Sequence, residues 1–116
     1  MPKSFGRNER VAASVRREVS DIILNEIKDP RVKLATVTEV TVSPDLRNAR
    51  IYISFLTDNE DDVKNAMTGL ESAKGYIRSN LSQRLKLRYM PSIHFIFDKL
   101  LSESMKLDAL IAKGLS

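Results

Sequence analysis

The sequence predicts an α+β fold in which helices cover a three-stranded sheet. Three observations carry this. A stretch near the N-terminus repeats apolar residues at helical spacing. Three later stretches are rich in β-branched or aromatic residues at strand spacing. A second helical stripe separates the second of these stretches from the third.

The first helix is read over residues 8–28. Val11, Val15, Val19, Ile22, Ile23 and Ile27 recur at intervals of three and four, with Asn8 as the expected N-cap. Asp29-Pro30 ends it, because Pro30 lacks an N–H and restricts the residue before it. Residues 34–43 form a Val- and Thr-rich strand whose apolar phase shifts between Val37 and Val40, which predicts a bulge. Residues 49–57 alternate with Ala49, Ile51, Ile53 and Phe55 on one face, and Ser43-Pro44-Asp45 supplies the turn of an antiparallel hairpin. Asp58 is the expected cap of the next helix, whose first turn is acidic as the helix dipole favours. Val63, Ala66, Met67 and Leu70 make its apolar face. The stripe runs on through Ile77, Leu81 and Leu85, but Gly75 interrupts it, so two helices joined at a kink near Ala73–Gly75 are expected. Pro91 closes the second. Residues 92–98 give the third strand, with Ile93, Phe95 and Phe97 buried, and a short helix over 103–113 ends the chain. The expected order is α-β-β-α-α-β plus a C-terminal helix.

Length and composition agree with one domain over 1–116, with 1–7 as a flexible N-terminus and 99–116 as the C-terminal helix and tail. The absence of Cys excludes disulfides, thiolate metal sites and a Cys nucleophile, and a single His makes a His-based metal site unexpected. No apolar run exceeds the four residues Ala109–Ala112, and the N-terminus has no apolar signal core. A cytoplasmic protein that neither spans nor binds membrane is therefore expected.

No catalytic constellation stands out, so no enzyme, cofactor or metal is expected. His94 lies between two apolar strand residues and reads as structural. Asp45 reads as a turn cap. Asp58, Glu60, Asp61 and Asp62 lack the spacing of a calcium loop, and the four isolated glycines form no phosphate-cradling loop.

Charge is the remaining signal. The net charge is +4, and its placement matters more than its size. Residues 1–17 hold Lys3, Arg7, Arg10, Arg16 and Arg17 against Glu9 alone. Residues 72–97 hold Lys74, Arg78, Arg84, Lys86 and Arg88 against no acid. Lys74 and Arg78 are four apart, as are Arg84 and Arg88, so each pair shares a helical face away from the Ile77–Leu81–Leu85 stripe. Tyr76 and Tyr89 flank the stretch and can stack on bases. This face is the expected RNA phosphate surface, joined by Arg7, Arg10, Arg16 and Arg17. The competing reading is a solvated face on a protein–protein adaptor.

The element order is that of type II KH domains, with Ala73-Lys74-Gly75 standing where those domains carry a Gly-x-x-Gly loop. A duplex or folded RNA surface is then the expected target. Over nearly its full length the chain also resembles bacterial ribosome-binding factor A. Four stretches carry the resemblance. They are Arg10-Val11-Ala12 with Lys28-Asp29-Pro30-Arg31; Val42-Ser43-Pro44-Asp45-Leu46-Arg47-Asn48-Ala49; Ala73-Lys74-Gly75-Tyr76-Ile77-Arg78; and Leu85-Lys86-Leu87-Arg88-Tyr89-Met90-Pro91 with Ile93-His94-Phe95 and Asp98. The resemblance implies a type II KH-like fold with an Ala-x-Gly kink. It implies a monomeric, non-enzymatic factor that binds free, immature 30S subunits and 16S rRNA and assists late maturation, including 5′-end processing and growth in the cold. It also implies release by a ribosome-dependent GTPase and the third initiation factor.

Overall fold

Apolar periodicity places the elements, and hydrogen bonding at their ends decides where each stops. The computed structural model describes residues 6–55, 57 and 59–99. Helix α1 spans Arg7–Asn25 and buries Ala12, Val15, Val19, Ile22 and Ile23. Its N-cap is Gly6, with no side-chain cap bond. Asn8, the expected cap, lies inside the first turn, and its Nδ2 donates to the Val42 carbonyl at 3.0 Å. The helix also ends earlier than Pro30 requires, because the N–H groups of Glu26 and Ile27 both turn to the Ile22 carbonyl. Asp29 and Pro30 instead open a 3₁₀ turn, Pro30–Leu34, in which the Asp29 carboxylate accepts the Arg31 N–H at 2.9 Å.

Strands β1 (Thr36–Val42) and β2 (Asn48–Ser54) form the expected antiparallel hairpin, and the register shifts between Val37 and Glu39 at the expected bulge. In the turn, the Ser43 hydroxyl donates to Asp45 Oδ1 at 2.6 Å and the Arg47 N–H reaches the same oxygen at 3.1 Å. Leu46 takes a left-handed φ of 62°. Asp45 therefore caps the turn as the sequence suggests.

The second helical region differs from the expectation. α2 is one unbroken helix, Glu60–Leu85, of 26 residues, so the described order is α-β-β-α-β. Its cap is Asn59, whose Oδ1 accepts the N–H groups of Asp61 and Asp62 at 2.9 and 3.2 Å. Gly75 does not split it. The stripe Ala66, Leu70, Ile77 and Leu81 is fully buried across the glycine, and a glycine costs only about 1 kcal/mol in a helix interior. The helix stops at Lys86, a left-handed C-cap with φ 53°. β3 (Ser92–Phe97) then pairs parallel to β2, which requires a long crossover of the kind α2 provides.

The sheet order is β1-β2-β3. One sheet face packs Val40, Val42, Ala49, Ile51, Ile53, Ile93 and Phe95 into a common core with the buried stripes of α1 and α2. Each fully buried Leu or Ile is worth about 1.5–3 kcal/mol. Phe55 and Phe97 meet at its end, ring centroids 5.5 Å apart. The expected helix over 103–113 and the segment 1–5 lie outside the described residues.

Candidate nucleic-acid interface

Three chain segments distant in sequence meet at one end of the molecule. The Asn8–Val42 bond holds the start of α1 against the end of β1. The Ser92 N–H donates to the Arg47 carbonyl at 2.8 Å, tying the loop after α2 to the hairpin turn. From α2, the Arg78 guanidinium donates to the carbonyls of Met90 and Pro91 at 3.0 and 3.4 Å, which fixes that loop from below.

Between these segments lies a groove of about 640 Å³ lined by Arg7, Val11, Asp45, Leu46, Arg47, Leu87, Arg88, Tyr89 and Pro91. A smaller hollow of about 350 Å³ adjoins it and adds Arg10, Ser14 and Leu85. Arg7, Arg47 and Arg88 thus share the groove with one carboxylate, Asp45, and Arg10 lines the adjoining hollow. The Ser43 hydroxyl first, and then the Arg47 backbone N–H, hold Asp45 below its ordinary carboxylate value. Arg47 reaches Asp45 only at 4.0 Å and is largely exposed. Arg7, Arg10 and Arg88 have no carboxylate partner among the described residues. The Arg88 guanidinium carbon sits 5.4 Å from the Tyr89 ring centroid, and Tyr89 is 75% exposed. Cations over an apolar floor beside an open aromatic ring suit a phosphate backbone and an unstacked base.

The sequence-expected residues divide. Arg7, Arg10 and Arg88 come together at the groove, and Lys86 is exposed beside it at the helix cap. Arg16 is exposed and lines a separate hollow between α1 and β1. Arg17 is exposed and paired with Glu18 at 3.3 Å.

The other three each hold a partner within the chain. Lys74 pairs with Glu71 at 2.9 Å. Arg78 holds the loop carbonyls of Met90 and Pro91. Arg84 Nη1 lies 2.7 Å from Asp21 and 3.2 Å from Glu18, while its Nε donates to Asn80. Asp21, and then Glu18, raise the Arg84 pKa, and Arg84 in turn lowers that of Asp21. The expectation that no acid would meet this stretch fails because Glu71 lies just ahead of it on α2 and Glu18 and Asp21 reach it from α1. Ala73 is half-buried and Gly75 exposed, both inside the continuous helix. Arg47, which lies outside both basic stretches of the sequence, also lines the groove, and its place beside the turn cap Asp45 is its one sequence signal.

Among the described residues no helix is long and apolar enough to cross a membrane, and no cluster of His, Asp and Glu can hold a metal.

The fold has counterparts in known proteins. A crystal structure of ribosome-binding factor A from Thermus thermophilus superposes with a TM-score of 0.68 at 24% identity, covering 78% of this chain and 93% of that one. A homology model of the T. thermophilus factor, as fitted into a cryo-EM map of a complex with the 30S subunit, gives a TM-score of 0.60 at 26% identity over 72% of this chain and 87% of that one. In sequence, the ribosome-binding factor A of Nitrosospira multiformis is 40% identical over 116 residues, covering 100% of this chain and 91% of the relative. The family model described as Ribosome-binding factor A matches residues 7–111. With the KH-like α+β topology in place and the match running from the first residue of α1 past the end of β3, the chain belongs to the ribosome-binding factor A family.

Proposed function

We propose that this chain binds free, immature small ribosomal subunits through 16S rRNA and assists their late maturation without catalysing a reaction. The observation that carries the reading is the convergence of Arg7, Arg10, Arg47 and Arg88 beside exposed Tyr89. Membership of a family with a relative fitted into a 30S complex supports the choice of RNA. The mechanism is occupancy: the groove clamps an RNA segment by its phosphates and holds it until release. Support for 5′-end maturation, for growth in the cold, for a monomeric state and for release by a GTPase and the third initiation factor comes from the family resemblance alone.

The test is co-sedimentation of purified protein with free small subunits and with assembled ribosomes over a salt series. Binding should favour free subunits and fall steeply with salt, by roughly 0.7–0.9 log units per phosphate contact per log unit of salt. Arg7→Glu with Arg88→Glu should flatten that slope and leave the circular dichroism unchanged. Equal binding to both particles, or a double variant that binds like the parent, overturns the reading.

A further inference from the structure

The sheet face turned away from the helices carries a row of three exposed polar residues, one from each strand. Thr41 pairs with Arg50, and Arg50 pairs with His94. Paired residues on neighbouring strands project to the same side, with strands about 4.8 Å apart. The next row toward the hairpin turn is Asn48 beside Ser92, both exposed. His94 Nε2 lies 3.0 Å from Asn48 Oδ1, which fixes the imidazole along the strands. Arg50 has no ion-pair partner among the described residues. Among the described strand residues the nearest acid on this face is Glu39, one row farther from the turn and opposite Tyr52.

This face is continuous with the basic groove. Arg47 and Pro91 line the groove, and the residues that directly follow them, Asn48 and Ser92, open the two strands of the face. The Ser92–Arg47 bond holds the two strand starts together as a lip. A strand leaving the groove over that lip meets Asn48 and Ser92, and then Arg50 and His94.

We propose that Arg50, with His94 and Thr41, is a second phosphate-binding site that takes the RNA backbone as it leaves the groove. The proposal rests on the RNA-binding reading above. Arg50 supplies the fixed charge, the Thr41 hydroxyl supplies a flanking donor, His94 borders the site with its Nε2 held on Asn48, and among the described residues no carboxylate is bonded to the guanidinium to compete. RNA therefore contacts the molecule on two adjoining surfaces, and the hairpin turn is the corner between them.

The test is a salt titration of full-length protein binding to free small subunits, using Arg50→Gln, Arg50→Lys and the groove variant Arg7→Glu with Arg88→Glu. Circular dichroism of each checks that it is folded. Arg50→Gln should weaken binding about tenfold, as loss of one charged hydrogen-bonding group does. It should also lower the log–log salt slope by about 0.7–0.9. Arg50→Lys should restore the slope. If the groove variant loses binding and Arg50→Gln does not, the second site is wrong and the groove reading stands. If the groove variant binds normally, the groove reading falls and this site falls with it. If Arg50→Gln weakens binding with the slope unchanged, the face docks protein rather than phosphate, and the proposal is overturned.

Discussion

The Arg84 guanidinium lies 2.7 Å from the Asp21 carboxylate, joining the last turn of α2 to the C-terminal part of α1 across 63 residues of sequence. Glu18 completes the pair of acids from the facing helix at 3.2 Å. Arg84→Glu sets three carboxylates together and drives the helices apart. The variant should melt at a clearly lower temperature than the parent. Arg88→Glu, exposed at the groove, should stay within the ordinary range for surface changes, about 0.5 kcal/mol. Equal melting temperatures for the two variants would show that the Arg84 cluster adds nothing to stability.

Asp21 and two further carboxylates, Asp29 and Asp45, set the acid limb of stability. Arg84, then Asn25, lower the pKa of Asp21; Arg31 lowers that of Asp29; and the Ser43 hydroxyl lowers that of Asp45. For each the folded value lies below the ordinary 3.8. Their contribution is complete above that value and is lost as pH falls through the folded values, because the unfolded chain then binds protons more readily. Urea midpoints should fall as the pH is lowered through and below 3.8. Asp21→Asn and Asp29→Asn should each flatten the limb. An unchanged limb in both would remove these groups from the account.

The two described glycines of α2 should respond in opposite ways to Ala. A Cβ on buried Gly69 would sit 3.0 Å from Val32 Cγ1 and 3.2 Å from Asp29 Oδ2. Gly69→Ala must push the 3₁₀ turn away, at about 1–3 kcal/mol, as overpacking does. A Cβ on Gly75 meets nothing within 4 Å, so Gly75→Ala should stabilise the helix by about 0.5–1 kcal/mol. Thermal melts of the two variants decide it, and a destabilised Gly75→Ala would contradict the open space.

Much of the fold is legible in the sequence because burial imposes a period. Val11 to Ile23 can bury one stripe only as a helix, and Ala49 to Phe55 can bury one face only as a strand. The bulge shows in the phase slip between Val37 and Val40, and the turn in Ser43-Pro44-Asp45. Gly75 misleads because local propensity ignores the stripe that Leu70, Ile77 and Leu81 carry across it. Gly69 is silent because close approach depends on Val32, which is not a sequence neighbour. The candidate site is legible only in part. Arg84 reads as free because its acids are 63 and 66 residues away. Arg47 joins Arg7 and Arg88 only once three separate segments converge. Charge counts along a chain do not show which cations are already paired across it.

Tyr89 tests whether the groove receives a base as well as phosphates. The ring is 75% exposed, and its one ring contact among the described residues is the neighbouring Arg88 guanidinium at 5.4 Å. An exposed aromatic of this kind adds little to the core, so Tyr89→Ala should leave the melting curve near that of the parent. Stacking of a base on such a ring is worth about 1–3 kcal/mol by alanine substitution. That range corresponds to a loss of subunit affinity of about five- to 150-fold. Tyr89→Phe keeps the ring face and should bind like the parent, which separates stacking from a hydrogen bond by the phenol. The salt slope should not change in either variant, since no phosphate contact is removed. Arg88→Gln is the complement: it should lower the slope and spare the stacking. If Tyr89→Ala binds normally while Arg88→Gln does not, the groove reads the backbone alone. If Phe fails along with Ala, the hydroxyl rather than the ring makes the contact.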